Sequence, residues 1–272
     1  MPSIKILHMY VDTDDGDDSF FHLLIDNIHF KYISIEADVY EARDFFPPVL
    51  ISKLPSIPPG DWNMGHISKT ESDAGPYFKW TKRESFAGIT HTWHPTQVDF
   101  LSLQFKKTIL PNVYEATCPA LGLGEDTVVI AKLARFPWEI DYYNNETQAY
   151  SWIKGHGIGP KFLGHITEEG RVIGFLLEKV VGRHAETKDL ERCQRVVARL
   201  HGLGLVHGDL NKYNFLVPFA DQDEVCLIDF EAAKRCDDTQ AMNDELQELS
   251  SKLQSTGTAG LPFGDDGPPI HS

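Results

Sequence analysis

The chain has 272 residues, 42% of them hydrophobic, which is enough for a full core and leaves room for more than one folding unit. Its net charge of −15 disfavours broad nucleic-acid binding, because phosphate backbones attract basic surfaces, although a local basic cleft stays compatible with it. Cys118, Cys193, Cys226 and Cys236 lack paired-motif spacing, no apolar run reaches the roughly 18 residues that span a bilayer, and the first residues lack a secretion signature; a cytoplasmic protein with no membrane partner is expected, with nuclear entry also compatible.

In chain order, residues 20–25 and 28–35 are predicted strands joined by Asp26 and Asn27. Pro47, Pro48, Pro55, Pro58 and Pro59 predict an extended connector that ends at Gly60, Asp61 and Trp62. The acidic run 12–18 departs from a calcium loop. Counted from Asp12, its glycine falls fifth rather than sixth, and Leu23 takes the twelfth place, so a solvated turn is expected. His91 and His94 have no third ligand at a zinc spacing and mark the entry to a strand.

Residues 98–103 and 113–117 are predicted strands, with 104–112 as the link between them. That link contains Lys106 and Lys107 and no glycine, while Gly122 and Gly124 shape the next turn. The β-branched run 127–133 carries Lys132 near its end. A helix is expected over 141–154, with Tyr142, Ala149, Tyr150 and Ile153 on its apolar stripe, Glu146 at mid-helix, and Gly155 and Gly157 as the stop. Runs 161–166 and 172–178 predict a hairpin that continues into Lys179, Val180, Val181 and Gly182. Leu190, Cys193, Val196, Val197, Leu200 and Leu203 then trace a buried helical stripe leading to His207.

Residues 207–231 read HGDLNKYNFLVPFADQDEVCLIDFE. The apolar runs 215–217 and 225–228 predict a hairpin turning at 220–223, which brings Asn214 and Asp229 to one end with Asp209 on the loop leading in. Carboxylate and amide oxygens suit magnesium, and a further carboxylate can take a proton from an attacking hydroxyl. Beyond them, 238–253 predicts an amphipathic helix with Met242, Leu246, Leu249 and Leu253 inward, and the Gly- and Pro-rich residues 257–272 a disordered tail.

The ordered set, Lys132 in a V-A-I-K-like strand, Glu146, H-x-D-x-x-x-x-N at His207 to Asn214, then Asp229-Phe230-Glu231, resembles the protein-kinase-like superfamily. HGD and DFE in place of HRD and DFG are similar to aminoglycoside- and choline-kinase-type phosphotransferases and to short fungal kinase-like proteins. The resemblance implies an α+β, bilobal protein-kinase-like fold with a minimal C-terminal lobe and an N-terminal extension. Its expected divisions are an extension over 1–95, an N-lobe over 96–180, a truncated C-lobe over 181–256 and the tail over 257–272.

The same resemblance implies ATP and Mg2+ as cofactors. Asp209 would be the catalytic base, Lys132 would contact the nucleotide phosphates with Glu146 as its partner, Asn214 and Asp229 would be metal ligands, and backbone groups at Glu178, Lys179 and Val180 would bind adenine. Two departures bear on function. The phosphate-covering segment lacks the glycines that let backbone amides approach phosphate, and only 43 residues follow Asp229, without an A-P-E triplet. The expected activity is phosphoryl transfer to a hydroxyl of a small molecule or, second, of a protein. A pseudokinase or scaffold, and transfer of another group by the same fold, stay open as alternatives.

Overall fold

The computed structural model describes residues 2–11, 16–69, 75–219 and 224–254. The sequence expectations for the first part of the acidic run (12–15), the turn 220–223 and the tail 257–272 lie outside them. The chain divides into two compact units, Met1–Ala87 and Gly88–Ser272.

In the first unit, β1 (Ile4–Tyr10), β2 (Ser19–Ile25), β3 (His29–Ile35), β4 (Met64–Lys69) and β5 (Pro76–Lys82) form one sheet in that order. Asp26 and Asn27 both adopt positive φ (53° and 58°), the two-residue turn that matches strand twist. Strand β4 runs parallel to β3, so the chain must cross over between them. Helix α1 (Pro47–Lys53) lies within that crossover and corrects the expected extended connector. Pro47 and Pro48 sit in its first turn, where a missing N–H costs nothing. Leu50 then packs with Phe21, Leu23, Ile33, Ile35, Trp62 and Ile67 as the core.

The second unit begins with a sheet. Its strands are β6 (Gln97–Asp99), β7 (Gln104–Leu110), β8 (Val113–Thr117), β9 (Val128–Leu133), β10 (Phe162–Glu168) and β11 (Arg171–Glu178), in the spatial order β6-β10-β11-β9-β8-β7. The expected link 104–112 is instead the edge strand β7 followed by a two-residue turn, Pro111 and Asn112. Its lysines read as a turn, yet charged side chains are what an exposed sheet edge carries. Helix α2 (Ile140–Ile153) has Tyr143 and Tyr150 in ring contact with Phe175 of β11. Tyr143 rather than Tyr142 faces inward, and Tyr142 is exposed.

The chain then passes to β12 (Gly182–His184), α3 (Leu190–His201) and β13 (Leu205–Val206), followed by the hairpin of β14 (Phe215–Pro218) and β15 (Cys226–Leu227). β16 (Lys234–Arg235) pairs with β13, and α4 (Thr239–Gln254) follows. Cys193, Val196, Val197 and Leu200 bury the stripe expected of α3, while Leu249 and Leu253 are the buried residues of α4. This unit is α+β and bilobal, with a sheet lobe carrying one long helix and a smaller, mainly helical lobe.

Candidate active site

Lys132 lies near the end of β9, opposite Val113 of β8 and Phe175 of β11. It is a buried ammonium in a sheet interior, which is costly unless compensated. Two carboxylates compensate it. Its Nζ lies 2.6 Å from Glu146 Oε2 of α2 and 2.5 Å from Asp229 Oδ1, just past the β14–β15 hairpin. Burial works against the lysine's charge, but Glu146 and Asp229 outweigh it and hold Lys132 well above its ordinary pKa. Burial also pushes the Glu146 carboxyl up, to about 7, and the Lys132 ammonium partly offsets that rise.

Asp229 takes a left-handed conformation (φ 68°, ψ 62°), a strained state of order 1 kcal/mol that neighbouring contacts must hold. One holder is Glu146, whose Oε1 accepts the Phe230 N–H at 3.3 Å. The other is His207. Its Nε2 donates to the Ile228 carbonyl (3.0 Å), while its Nδ1 faces the Asp209 N–H at 3.4 Å as acceptor. That pattern needs a neutral ring, and burial keeps the His207 pKa below its usual value. Rings continue the connection upward: His207 to Phe230 at 5.2 Å, Phe230 to Tyr150 at 5.2 Å, and Tyr150 to Phe175 at 5.6 Å. The column joins the loop before β14 to α2 and the sheet.

Asp209 is exposed. Buried Asn214 donates its Nδ2 to the Asp209 carbonyl at 2.8 Å and approaches Asp209 Oδ2 at 3.5 Å. The glycine of HGD has a steric reason. Gly208 has φ +82°, and a Cβ there would stand 2.5 Å from the Ala232 carbonyl oxygen.

Glu245 of α4 escapes the sequence reading. Its Oε1 accepts from Gly208 N (2.7 Å), and its Oε2 from His207 N (3.3 Å) and from His201 Nε2 (2.7 Å). Burial opposes its charge, yet the His201 hydrogen bond and the two amide donors leave the carboxyl below the ordinary range. The available signal was its position on the inward stripe of α4, one turn before Leu249.

The structure therefore brings Lys132, Glu146 and Asp229 into direct contact and holds Asp209 against Asn214. Glu178, Lys179 and Val180 stand apart from that cluster. Glu178 pairs with Val129, three strand positions from the Phe175–Lys132 pair, or roughly 10 Å along the strand. The Glu178 N–H is bound to the Lys161 carbonyl, and Lys179 Nζ is paired with Glu115 at 2.8 Å. Lys106 and Lys107 do not reach the hairpin tip. Lys107 is four residues before Pro111, or roughly 14 Å along an extended strand. His94 receives a Thr96 N–H and donates its own to His165 at the entry to β6. No cluster of three metal-type ligands occurs there or elsewhere among the described residues.

A model of the lipopolysaccharide kinase (Kdo/WaaP) family matches residues 177–261, the stretch that holds Asp209, Asn214 and Asp229. Over 116 residues the chain is 30% identical to a probable bifunctional tRNA threonylcarbamoyladenosine biosynthesis protein of Methanothermobacter thermautotrophicus. The match covers 41% of this chain and 21% of that relative, so the chain spans about a fifth of its length. Among solved structures, the Cydia pomonella granulovirus kinase aligns with a TM-score of 0.44 at 11% identity, over 57% of this chain and 69% of that one. The family model thus matches the C-terminal part of the second unit, from the end of β11 through α4.

Proposed function

We propose that the chain is an ATP- and magnesium-dependent phosphotransferase acting on a hydroxyl, in the first place that of a non-peptide small molecule. One observation carries this reading: the buried Lys132 amine lies between Glu146 and Asp229, in the same unit as the exposed Asp209. Phosphoryl transfer depends on positioning and charge neutralisation, and these side chains supply both. Lys132, oriented by Glu146, binds nucleotide phosphate oxygens. Asp229 and the Oδ1 of Asn214 form an oxygen donor set suited to magnesium, since Asn214 Nδ2 is already bound to the Asp209 carbonyl. Magnesium, when bound, neutralises phosphate charge as the bond to the leaving group breaks. Asp209 orients the acceptor hydroxyl and takes its proton. Backbone groups at 178–180 hold the base. The matched family is named for kinases of lipopolysaccharide, whose acceptor is not a peptide, which supports a non-peptide acceptor here.

The test is a mass-spectrometric screen of a metabolite extract incubated with the protein, ATP and magnesium. A product heavier by one phosphoryl group, absent with Asp209→Asn, is expected. ATP hydrolysis with no phosphorylated product would overturn the reading.

A second reading, a scaffold that binds a partner without phosphoryl transfer, is favoured by the short hairpin tip over Lys132. Pro111 has no N–H, so the two-residue tip offers phosphate fewer backbone amides than a glycine-rich loop does. Thermal shifts separate the two readings: magnesium-dependent stabilisation by ATP supports catalysis, and no shift at millimolar nucleotide supports the scaffold.

A further inference from the structure

The hairpin tip between β7 and β8 is tied down on three sides. The Tyr114 hydroxyl donates to the Pro111 carbonyl, the Leu133 N–H donates to the Asn112 carbonyl at 3.1 Å, and Asn112 Nδ2 donates to the Tyr143 hydroxyl at 2.6 Å. The last bond spans from the sheet to α2. Tyr143 lies on the inward face of α2, three residues before Glu146 and so on the same side of the helix. Val113, the residue after Asn112, is the cross-strand partner of Lys132, and Leu133 is the residue after Lys132. The Asn112–Tyr143 bond therefore closes a ring around the Lys132–Glu146 ion pair, through the β8–β9 ladder on one side and a turn of α2 on the other.

We infer that Asn112 and Tyr143 are positioning residues: their hydrogen bond fixes α2 to the sheet and keeps Glu146 on Lys132, so that the lysine is already aimed when nucleotide phosphates arrive. This rests on the nucleotide-binding reading above and adds a mechanism to it. A glycine-rich cover grips phosphate through its own amides. Here the tip contributes indirectly, by holding rigid the side chain that does the gripping. Preorganisation of this kind removes an ordering cost at binding.

The interaction is testable because it should act only through Lys132, and therefore only on phosphate. Affinities for ATP with magnesium and for adenosine are measured by calorimetry on the full chain, for wild type, Asn112→Ala, Tyr143→Phe, and each in a Lys132→Met background. Either latch variant should weaken ATP binding roughly five- to tenfold, about what one hydrogen bond is worth. Adenosine binding should not change, and neither variant should add to the loss caused by Lys132→Met. Tyr143→Phe keeps the ring and removes one oxygen, so it preserves the test if Asn112→Ala folds poorly. Equal loss for adenosine, or a full further loss in the Lys132→Met background, would reduce the bond to a general structural role and overturn the inference. Wild-type protein that binds neither ligand would instead overturn the nucleotide reading itself, and this inference with it.

Discussion

Asp209, Gly208, Glu146 and Glu245 have separable roles at the residue scale. Asp209 is exposed, and in the proposed reading it acts on the acceptor hydroxyl. Asp209→Asn should abolish transfer while ATP affinity, read by calorimetry, stays within about twofold of wild type. Gly208→Ala combines a left-handed backbone with a Cβ 2.5 Å from a carbonyl oxygen, so a loss of about 2 kcal/mol or more in a denaturant melt is expected. Glu146→Ala removes one partner of a buried pair. Because Lys132 keeps Asp229, the cost should fall at the low end for such pairs, about 3 kcal/mol. Glu245 gives a pH signature. Its folded pKa lies below the ordinary value, so the stability it contributes is complete above the usual carboxylate range and is lost as pH falls through that range towards the folded value. In Glu245→Gln that part of the acid-side slope should vanish, as followed by urea melts across pH.

At the scale of elements, the site depends on couplings between segments distant in sequence. Lys132, Glu146, Asp209, Asn214 and Asp229 were legible because each sits at a fixed offset from an apolar run that forms a strand or a helix. On the inward face of α2, Ala149, Tyr150 and Ile153 are buried as their spacing predicts and only Tyr142 is misplaced, since Tyr142 and Tyr143 both stand about one turn before Glu146 and packing on Phe175 selects between them. The edge strand β7 was hidden by its lysines, and α1 by prolines that begin a helix as readily as they break one. Glu245 was hidden because its partners are backbone amides nearly forty residues earlier, which no local pattern encodes. Leu249 is fully buried on the same helix. Leu249→Ala should cost about 2–4 kcal/mol and raise hydrogen exchange at the Gly208 amide, since α4 positions the Glu245 carboxylate that accepts from it. Unchanged exchange at that amide would disconnect α4 from the loop.

Across the whole molecule, charge frames the proposed activity. The chain carries −15, and in the site one lysine faces three carboxylates, Glu146, Asp229 and the nearby Asp209. A polyanionic nucleotide alone meets net repulsion there, and Asp229 already occupies Lys132. A divalent cation held by Asp229 and Asn214 would reverse both conditions. Nucleotide and metal should therefore bind together. No helix among the described residues is long and apolar enough to cross a membrane.

The most direct measurement of the central claim is calorimetric titration of ATP into the protein with magnesium and with a chelator, repeated on Asp229→Ala. Binding that needs magnesium in the wild type and is lost in Asp229→Ala is the predicted result. ATP binding of equal strength with and without magnesium, or unaltered in Asp229→Ala, would contradict the assignment of Lys132 and Asp229 to one metal–nucleotide site.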